Sequence, residues 1–335
     1  MPVPLTYVPA ERLGGRSHVM VDGMPRPGTV LSLSHWAGTP TPEDLWDDVS
    51  AGIVLRALAK PGTVPAGVEA ASIDHYDEDG VLSLGLLCLA GLAEAHGALV
   101  VEAAHVGDFG VVRRRRAALV AFALAGVARA GEPVVADVMA RCGRHATDAL
   151  AILPAMVEEP ERFEDLWGDE ASAYDASRRA LDEGQATVEE RPEHDLAVVR
   201  VDGAPGALRG CGWEGAVLHR AAVHSATSCL RVFTVVGRRY ELRYRYESWV
   251  RLVSRRPRPR VDLGALAATL TAAEPTGARW AFDGAAAITG ALHLVGEADS
   301  GLEPDRVLDE VCRCLEQLDA GPPAWDPYAA PVRRV

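Results

Sequence analysis

The densest chemistry in the chain is an acidic turn. Asp74-His75-Tyr76-Asp77-Glu78-Asp79-Gly80 follows the apolar run Val68 to Ile73 and leads into a second apolar run from Val81. Carboxylates crowded at the end of a buried strand repel one another, and desolvation adds to the cost of their charge. A bound divalent cation is the simplest offset. Oxygen donors suit Mg²⁺ or Mn²⁺, and the imidazole of His75 tilts the choice toward Mn²⁺. Gly80 suits a sharp strand-to-helix turn, and the new helix presents its positive end to an anion. A plainer reading is that Asp77 or Asp79 caps that helix by accepting backbone N–H bonds, although one aspartate is enough for a cap. An EF-hand loop is excluded, because the glutamate it needs six residues after the glycine is Leu86 here.

Further ligands must come from elsewhere in the first half. His105-Val106-Gly107-Asp108-Phe109-Gly110 is the best candidate, read as a turn between helices from which Asp108 bridges two cations. The alternative is that Asp108 caps the next helix. His35 ends a strand-like run, Thr29 to Ser34, and either sets an imidazole beside the acidic turn or is a partly buried histidine. Asp74 is expected to orient His75 or to act as a base. In the second half His219, His224 and Arg245 are candidates to clamp phosphate oxygens, for which the guanidinium fork is suited. The stretch Arg251, Arg255, Arg256, Arg258, Arg260 reads as a solvated basic loop, and Gly210-Cys211-Gly212 as a flexible turn. Asp137 and His145 fall on helix patterns and read as structural or solvated. The chain has no G-x-S-x-G elbow and no G-x-x-x-x-G-K-[ST] phosphate loop.

His75-x-Asp77-x-Asp79-Gly80-x-x-Ser83 after a hydrophobic strand resembles the first motif of the DHH phosphoesterase superfamily, the group of RecJ-type nucleases, pyrophosphatases and small-nucleotide phosphodiesterases. The resemblance implies that His75, Asp77 and Asp79 are manganese ligands, and Ser83 matches a serine often found in the following helix. It covers about 15 residues, and no Asp-His-His triplet occurs in the chain. The missing triplet would supply an aspartate ligand and phosphate-contacting histidines, which leaves a non-catalytic ligand- or protein-binding relative as the alternative. The whole chain also resembles an uncharacterised family of high-GC bacterial proteins.

The elements that must position these groups follow a strand–turn–helix rhythm in the first half. Thr41 reads as the N-cap of a helix running to Lys60, where Pro61-Gly62 stops it. Helices are expected from Gly80 onward and over about 92–106, 113–130 and 133–154. This is the pattern of a parallel sheet covered by helices, in which ligands sit beyond the carboxyl ends of the strands. From Glu158 to Pro192 the chain reads as a polar surface helix and connector. Strands are then expected at 195–201, 227–236, 239–250 and 287–295, with helices near 262–273 and 304–318. The second strand pair is joined at Gly237, and Tyr240, Leu242, Tyr244 alternate with charged residues in the period of a half-buried strand. The expected fold is therefore α/β, an α/β metal-binding domain over 1–185 followed by a smaller α+β substrate-binding domain over 190–335.

The 335 residues carry a formal charge of -13, which disfavours a long nucleic-acid polymer as partner. Thirty-three of the 34 basic residues are arginine, with Lys60 the exception, a coding bias that removes arginine abundance as a functional signal. No apolar stretch reaches the about 18 residues that span a bilayer. The first residues lack the basic start and apolar core of a secretion signal, and the six cysteines are scattered, so a reducing cytoplasm is expected. The combined expectation is a manganese- or magnesium-dependent phosphoester hydrolase acting on a small phosphorylated substrate.

Overall fold

The computed structural model describes residues 4–130, 137–201, 218–296 and 299–331. The chain is mixed α/β, and among the described residues it forms two compact units. The first takes in the chain up to Ala171, then Arg251–Arg256 and Pro331; the second takes in Ser172–Val250 and Pro257–Ala330.

In the first unit β1 (Thr6–Tyr7), β2 (His18–Val21), β3 (Thr29–Leu33) and β4 (Ala70–Ser72) make a parallel sheet in the order β1-β4-β2-β3. All four residues of β2 are buried, as expected of a parallel strand covered on both faces. Only residues 22–28 join β2 to its parallel neighbour β3. So short a crossover works because each strand is short: the return covers about 13 Å at about 3.3 Å per residue. Gly28 makes the close approach possible, since at φ 91° a Cβ would lie 2.5 Å from the Arg16 carbonyl oxygen.

Six helices cover this sheet or continue from it: α1 (Ser50–Ala59), α2 (Glu78–Cys88), α3 (Leu92–Phe109), α4 (Arg115–Ala130), α5 (Val138–Glu158) and α6 (Glu164–Asp182), within which the unit boundary falls. Every residue of α2 from Asp79 to Leu87 is buried, and the helix packs against α1, α3, α5 and the sheet. A helix apolar on all sides belongs inside. The helix expected from Thr41 begins only at Ser50. Thr41 Oγ1 instead donates to the Ser34 carbonyl (2.7 Å) and accepts the Ser34 N–H (2.9 Å), leaving a single 3-10 turn at Glu43–Leu45.

The second unit is built on a mixed sheet of β5 (Ala186–Arg191), β6 (Leu196–Val201), β7 (Arg231–Val236), β8 (Arg239–Tyr244), β9 (Trp280–Phe282) and β10 (Ala291–Leu294), in the order β5-β6-β7-β8-β10-β9. Only β6 and β7 run parallel. α7 (Arg220–His224), α8 (Gly264–Ala273) and α9 (Pro304–Asp319) complete it. Tyr240, Leu242 and Tyr244 of β8 point into a core with Phe233, Trp280, Leu292 and Val311, as the alternation predicts. The polar stretch read as a connector holds the edge strand β5, in which Thr187, Glu189 and Glu190 are exposed. The proline–arginine stretch is not a solvated loop throughout: Arg260 is fully buried and donates to Ser248 Oγ and to the carbonyls of Arg245, Ala285, Ala287 and Ile288. Among the described residues no helix is long and apolar enough to cross a membrane. Residues 210–215, with Cys211, lie outside the described residues.

Two glycines give a test of this packing. A Cβ at Gly126 in α4 would lie 2.2 Å from the Leu166 carbonyl oxygen, whereas at Gly168 in α6 the nearest atom is 3.6 Å away. Gly126→Ala is expected to destabilise by about 1–3 kcal/mol through a backbone clash, and Gly168→Ala to stabilise by about 0.5–1 kcal/mol through helix propensity. Thermal melts of the two variants check this, and equal melting temperatures would contradict the packing of α4 on the segment at Leu166.

Candidate metal centre

Three adjacent parallel strands deliver the cluster. Asp22 follows β2, His35 lies two residues past β3, and Asp74 to Asp79 follow β4 into α2. All therefore stand at carboxyl ends of strands. Asp108 reaches the same place from the last turn of α3.

Asp22 sits at the centre. Its backbone has φ 42°, a left-handed conformation uncommon outside glycine but tolerated best by Asp and Asn. Its side chain is fully buried. Oδ1 accepts from Ser50 Oγ at 2.7 Å and lies 3.5 Å from His35 Nε2. Oδ2 makes no hydrogen bond and faces His75 Nε2 at 3.5 Å. Two groups of potential ligands share this one residue: Asp22, His35 and Asp79, all buried, and Asp22, His75 and Asp77, on the more open side. Within each group the donor atoms lie inside 4.8 Å of one another.

His35 is held in one tautomer. Its Nδ1–H donates to the Asp48 carbonyl at 2.6 Å, so the neutral ring turns its Nε2 lone pair toward Asp22 Oδ1 and toward Asp108 Oδ2 at 3.3 Å. Burial pushes the ring's pKa down to about 4, which keeps it neutral. A lone pair facing carboxylate oxygens is repulsive unless a proton or a cation lies between them. His75 is bonded differently: Nδ1 to Asp74 Oδ1 at 2.9 Å and Nε2 to Asp77 Oδ2 at 2.8 Å. Burial alone would lower its pKa, but the carboxylates of Asp77, Asp74 and Asp22 outweigh that and raise it. Asp74, anchored by the Met24 N–H at 3.2 Å, is thus placed to orient His75.

The remaining carboxylates serve two purposes. Asp77 Oδ1 caps α2 by accepting the Gly80 N–H at 2.8 Å. Burial presses its pKa upward, yet His75 and that N–H hold it below the usual range. Asp79 accepts the N–H groups of Ser50 (2.6 Å) and Ala51 (2.8 Å), capping α1, whose own N-cap residue Val49 has no acceptor to offer. Burial and the Asp77 charge still push Asp79 up to about 7. Burial, then neighbouring carboxylates, raise Asp22 and Asp108 well above the ordinary value. Asp108 was expected in a turn between helices. It lies in the C-terminal turn of α3, where the helix dipole opposes a negative charge.

The sequence pattern thus led to His75, Asp77, Asp79, Asp108 and His35, which the fold brings together, and missed Asp22. The signal for Asp22 was short: an apolar run, Val19-Met20-Val21, ending in Asp-Gly. Ser50 was also missed. His219, His224 and Arg245 belong to the second unit. His219 Nδ1 caps α7 by accepting the Ala221 N–H at 3.1 Å. The buried Arg245 pairs with Glu247 and donates to the carbonyls of Thr227 (2.9 Å), Cys229 (3.3 Å) and His224 (3.4 Å). Those bonds give Arg245 a part in its own unit's packing. Asp137 caps α5 through Met139 N–H at 2.9 Å, and His145 packs edge-on against Tyr76.

The buried Asp22 Oδ2, which makes no hydrogen bond and stands in a group with His75 and Asp77, is suited to a cation. Mixed carboxylate and imidazole donors suit Mn²⁺, with Mg²⁺ the harder alternative. The prediction concerns pH. In chelator-treated protein, Asp79, Asp22 and Asp108 hold protons that the unfolded chain releases above its pKa near 3.8. Stability therefore falls as pH rises from that value to about 7, the folded value of Asp79. His75, raised from 6.5, works in the same direction above neutrality. His35, lowered to about 4, opposes the trend below pH 6.5 but is one group against three. The melting temperature of chelator-treated protein should fall from pH 5 to 7.5, and Mn²⁺ at about a hundred times its dissociation constant should raise it by about 5 °C or more at the upper pH. A melting temperature indifferent to both pH and Mn²⁺ would rule out the centre.

No curated protein and no solved structure matches the chain. A family of unknown function, DUF6687, matches residues 3–327. The parallel sheet and its acid-lined edge lie within that span, and the chain belongs to the DUF6687 family.

Proposed function

We propose that the protein is a divalent-metal-dependent phosphoester hydrolase acting on a small nucleotide or phosphorylated metabolite. The observation that carries this reading is the sharing of Asp22 by two groups of ligands, one closed and one partly open. A carboxylate common to two cation positions is the usual framework of two-metal hydrolysis. The local resemblance of His75 to Ser83 to the first DHH motif supports the same reaction class.

His35, Asp79 and Asp22 would hold the inner cation, and His75, Asp77 and Asp22 the outer one. When bound, the cations would supply Lewis acidity and lower the pKa of water. The rest falls to the protein. Asp74 keeps the Nδ1–H of His75 engaged, so that Nε2, which faces Asp77 and Asp22, is the nitrogen that would turn to the outer cation. The Asp48 carbonyl does the same for His35. The side chains of His75 and Asp77 are 32% and 27% exposed while those of Asp22 and His35 are fully buried, so substrate and water approach from the His75–Asp77 side. In the reaction an oxygen of water bonds to phosphorus as the bond from phosphorus to the ester oxygen breaks. The alcohol leaves with one proton of that water, and phosphate is the other product.

Purified protein is tested with Mn²⁺ and aryl phosphate mono- and diesters. Turnover should require the metal, and Asp22→Asn should lower kcat/KM by about a thousandfold or more, the scale of losing an electrostatic centre at the reacting group. Stoichiometric Mn²⁺ without turnover on any phosphoester would favour the ligand-binding alternative, and turnover unaffected by Asp22→Asn or by chelator would refute the proposal.

A further inference from the structure

Resting on the hydrolase reading, we infer that Asp48 is a positioning residue for the inner cation. Its carboxylate and its carbonyl together select the His35 tautomer whose Nε2 carries no proton and faces Asp22 and Asp108.

A neutral imidazole carries one proton, and among carboxylates that proton has two places to go. On Nε2 it would be shared with Asp22 Oδ1 at 3.5 Å or Asp108 Oδ2 at 3.3 Å. A nitrogen so protonated has no lone pair for a metal. The ligating tautomer needs an acceptor on the other side of the ring that wins against charged oxygens. Here that acceptor is a neutral carbonyl, Asp48, 2.6 Å from Nδ1. Charged acceptors make the stronger bonds, so a carbonyl prevails only where its position is fixed.

The side chain of the same residue fixes it. Asp48 Oδ1 accepts the N–H groups of Val253 and Ser254 at 2.6 and 2.9 Å. Two residues before Val253, the Arg251 N–H donates to the His35 carbonyl at 3.1 Å. Arg251–Arg256 belongs to the first unit, although the chain on both sides of it belongs to the second. These bonds close a circuit. It runs from the His35 carbonyl to Arg251, along the chain to Val253 and Ser254, through the Asp48 carboxylate to the Asp48 carbonyl, and back to the His35 ring. The His35 N–H is held as well, by Ser50 Oγ at 3.2 Å, and that hydroxyl donates to Asp22. The backbone and the ring of His35 are thus fixed by separate bonds, and Asp48 sets the ring. Asp48 belongs to neither ligand group, so its effect on a cation runs through His35. Val253 and Ser254 are exposed, so water replaces the carboxylate when it is removed and the chain keeps its fold.

The test uses full-length, chelator-treated protein labelled with ¹⁵N-histidine. Ring-nitrogen NMR reads the tautomer of His35, whose signals are identified by their loss in His35→Gln. Wild type should show a protonated Nδ1 and a bare Nε2, and Asp48→Ala should move the population toward the Nε2–H form. Calorimetric titration with Mn²⁺ should find the affinity of Asp48→Ala weaker by about ten- to a hundredfold, the usual loss when a group orienting a metal-binding histidine is removed. Asp48→Asn, whose amide oxygen still accepts both N–H groups, should keep the wild-type tautomer and an affinity within about threefold. If Asp48→Ala fails to fold, Val253→Pro, which removes one donor and leaves Asp48 whole, decides on the same two readouts. A folded variant with either the tautomer or the Mn²⁺ affinity of wild type would overturn the assignment and leave the hydrolase reading standing. Both changes, in a protein that binds Mn²⁺ yet turns over no phosphoester, would uphold the assignment and refute the hydrolase reading.

Discussion

Burial of several carboxylates around Asp22, at the carboxyl edge of a short parallel sheet, is the constraint on which the first unit turns. Four aspartates and two imidazoles meet there, all buried except His75 and Asp77, and one of the aspartates is at a backbone conformation few residue types accept. Such an arrangement costs free energy in every protonation state without a cation: ionised, the carboxylates repel; protonated, they hold protons well above their ordinary range. Backbone strain and unbalanced charge at one point are features that cluster at functional sites.

The surrounding fold is organised to bear that cost. Asp79 caps α1 from a distant part of the chain, and Asp77 caps α2. Capping and ligation are compatible, because a carboxylate has more lone pairs than one N–H or one cation can use. The same bonds lock the positions of Asp77 and Asp79: a residue that holds a helix end cannot swing away from the cluster without releasing that end. Ser50 joins the two systems, its N–H bonded to Asp79 and its hydroxyl to Asp22. The cluster is accordingly preorganised by secondary structure on all sides except the one where His75 and Asp77 reach solvent.

Arginine plays two distinct parts in this chain. In the second unit Arg231 forms a fork-on-fork pair with Asp319 at 2.8 and 2.6 Å, and Arg260 ties four carbonyls together from a fully buried position. Burial lowers the pKa of Arg260 to about 10, still high enough to keep it charged. These guanidiniums are structural cross-links, and removing one would leave buried acceptors unpaired. Arg251–Arg256 differs in position, since its backbone N–H groups make the anchoring bonds to His35 and Asp48.

What could be read from residue order was local. The acidic turn after an apolar run, the glycine at its end, and the alternation along β8 are each set by neighbours within a few positions, where periodicity and turn chemistry act. They were enough to indicate an α/β fold, and to pick out His75, Asp77, Asp79, His35 and Asp108, which the fold brings together at strand ends and at the last turn of α3. Asp22 escaped because β2 is four residues long, too short for a period to show, and its parallel partner follows after an unusually brief crossover. Which nitrogen of His35 faces the acids also depended on a distant acceptor, the Asp48 carbonyl. The placement of Arg251–Arg256 beside His35 rests on hydrogen bonds spanning more than two hundred residues of sequence separation. Side-chain type is a property of the chain, whereas convergence of charge is a property of three-dimensional distance, and only the folded sheet brings the donor atoms within each of these groups inside 4.8 Å of one another.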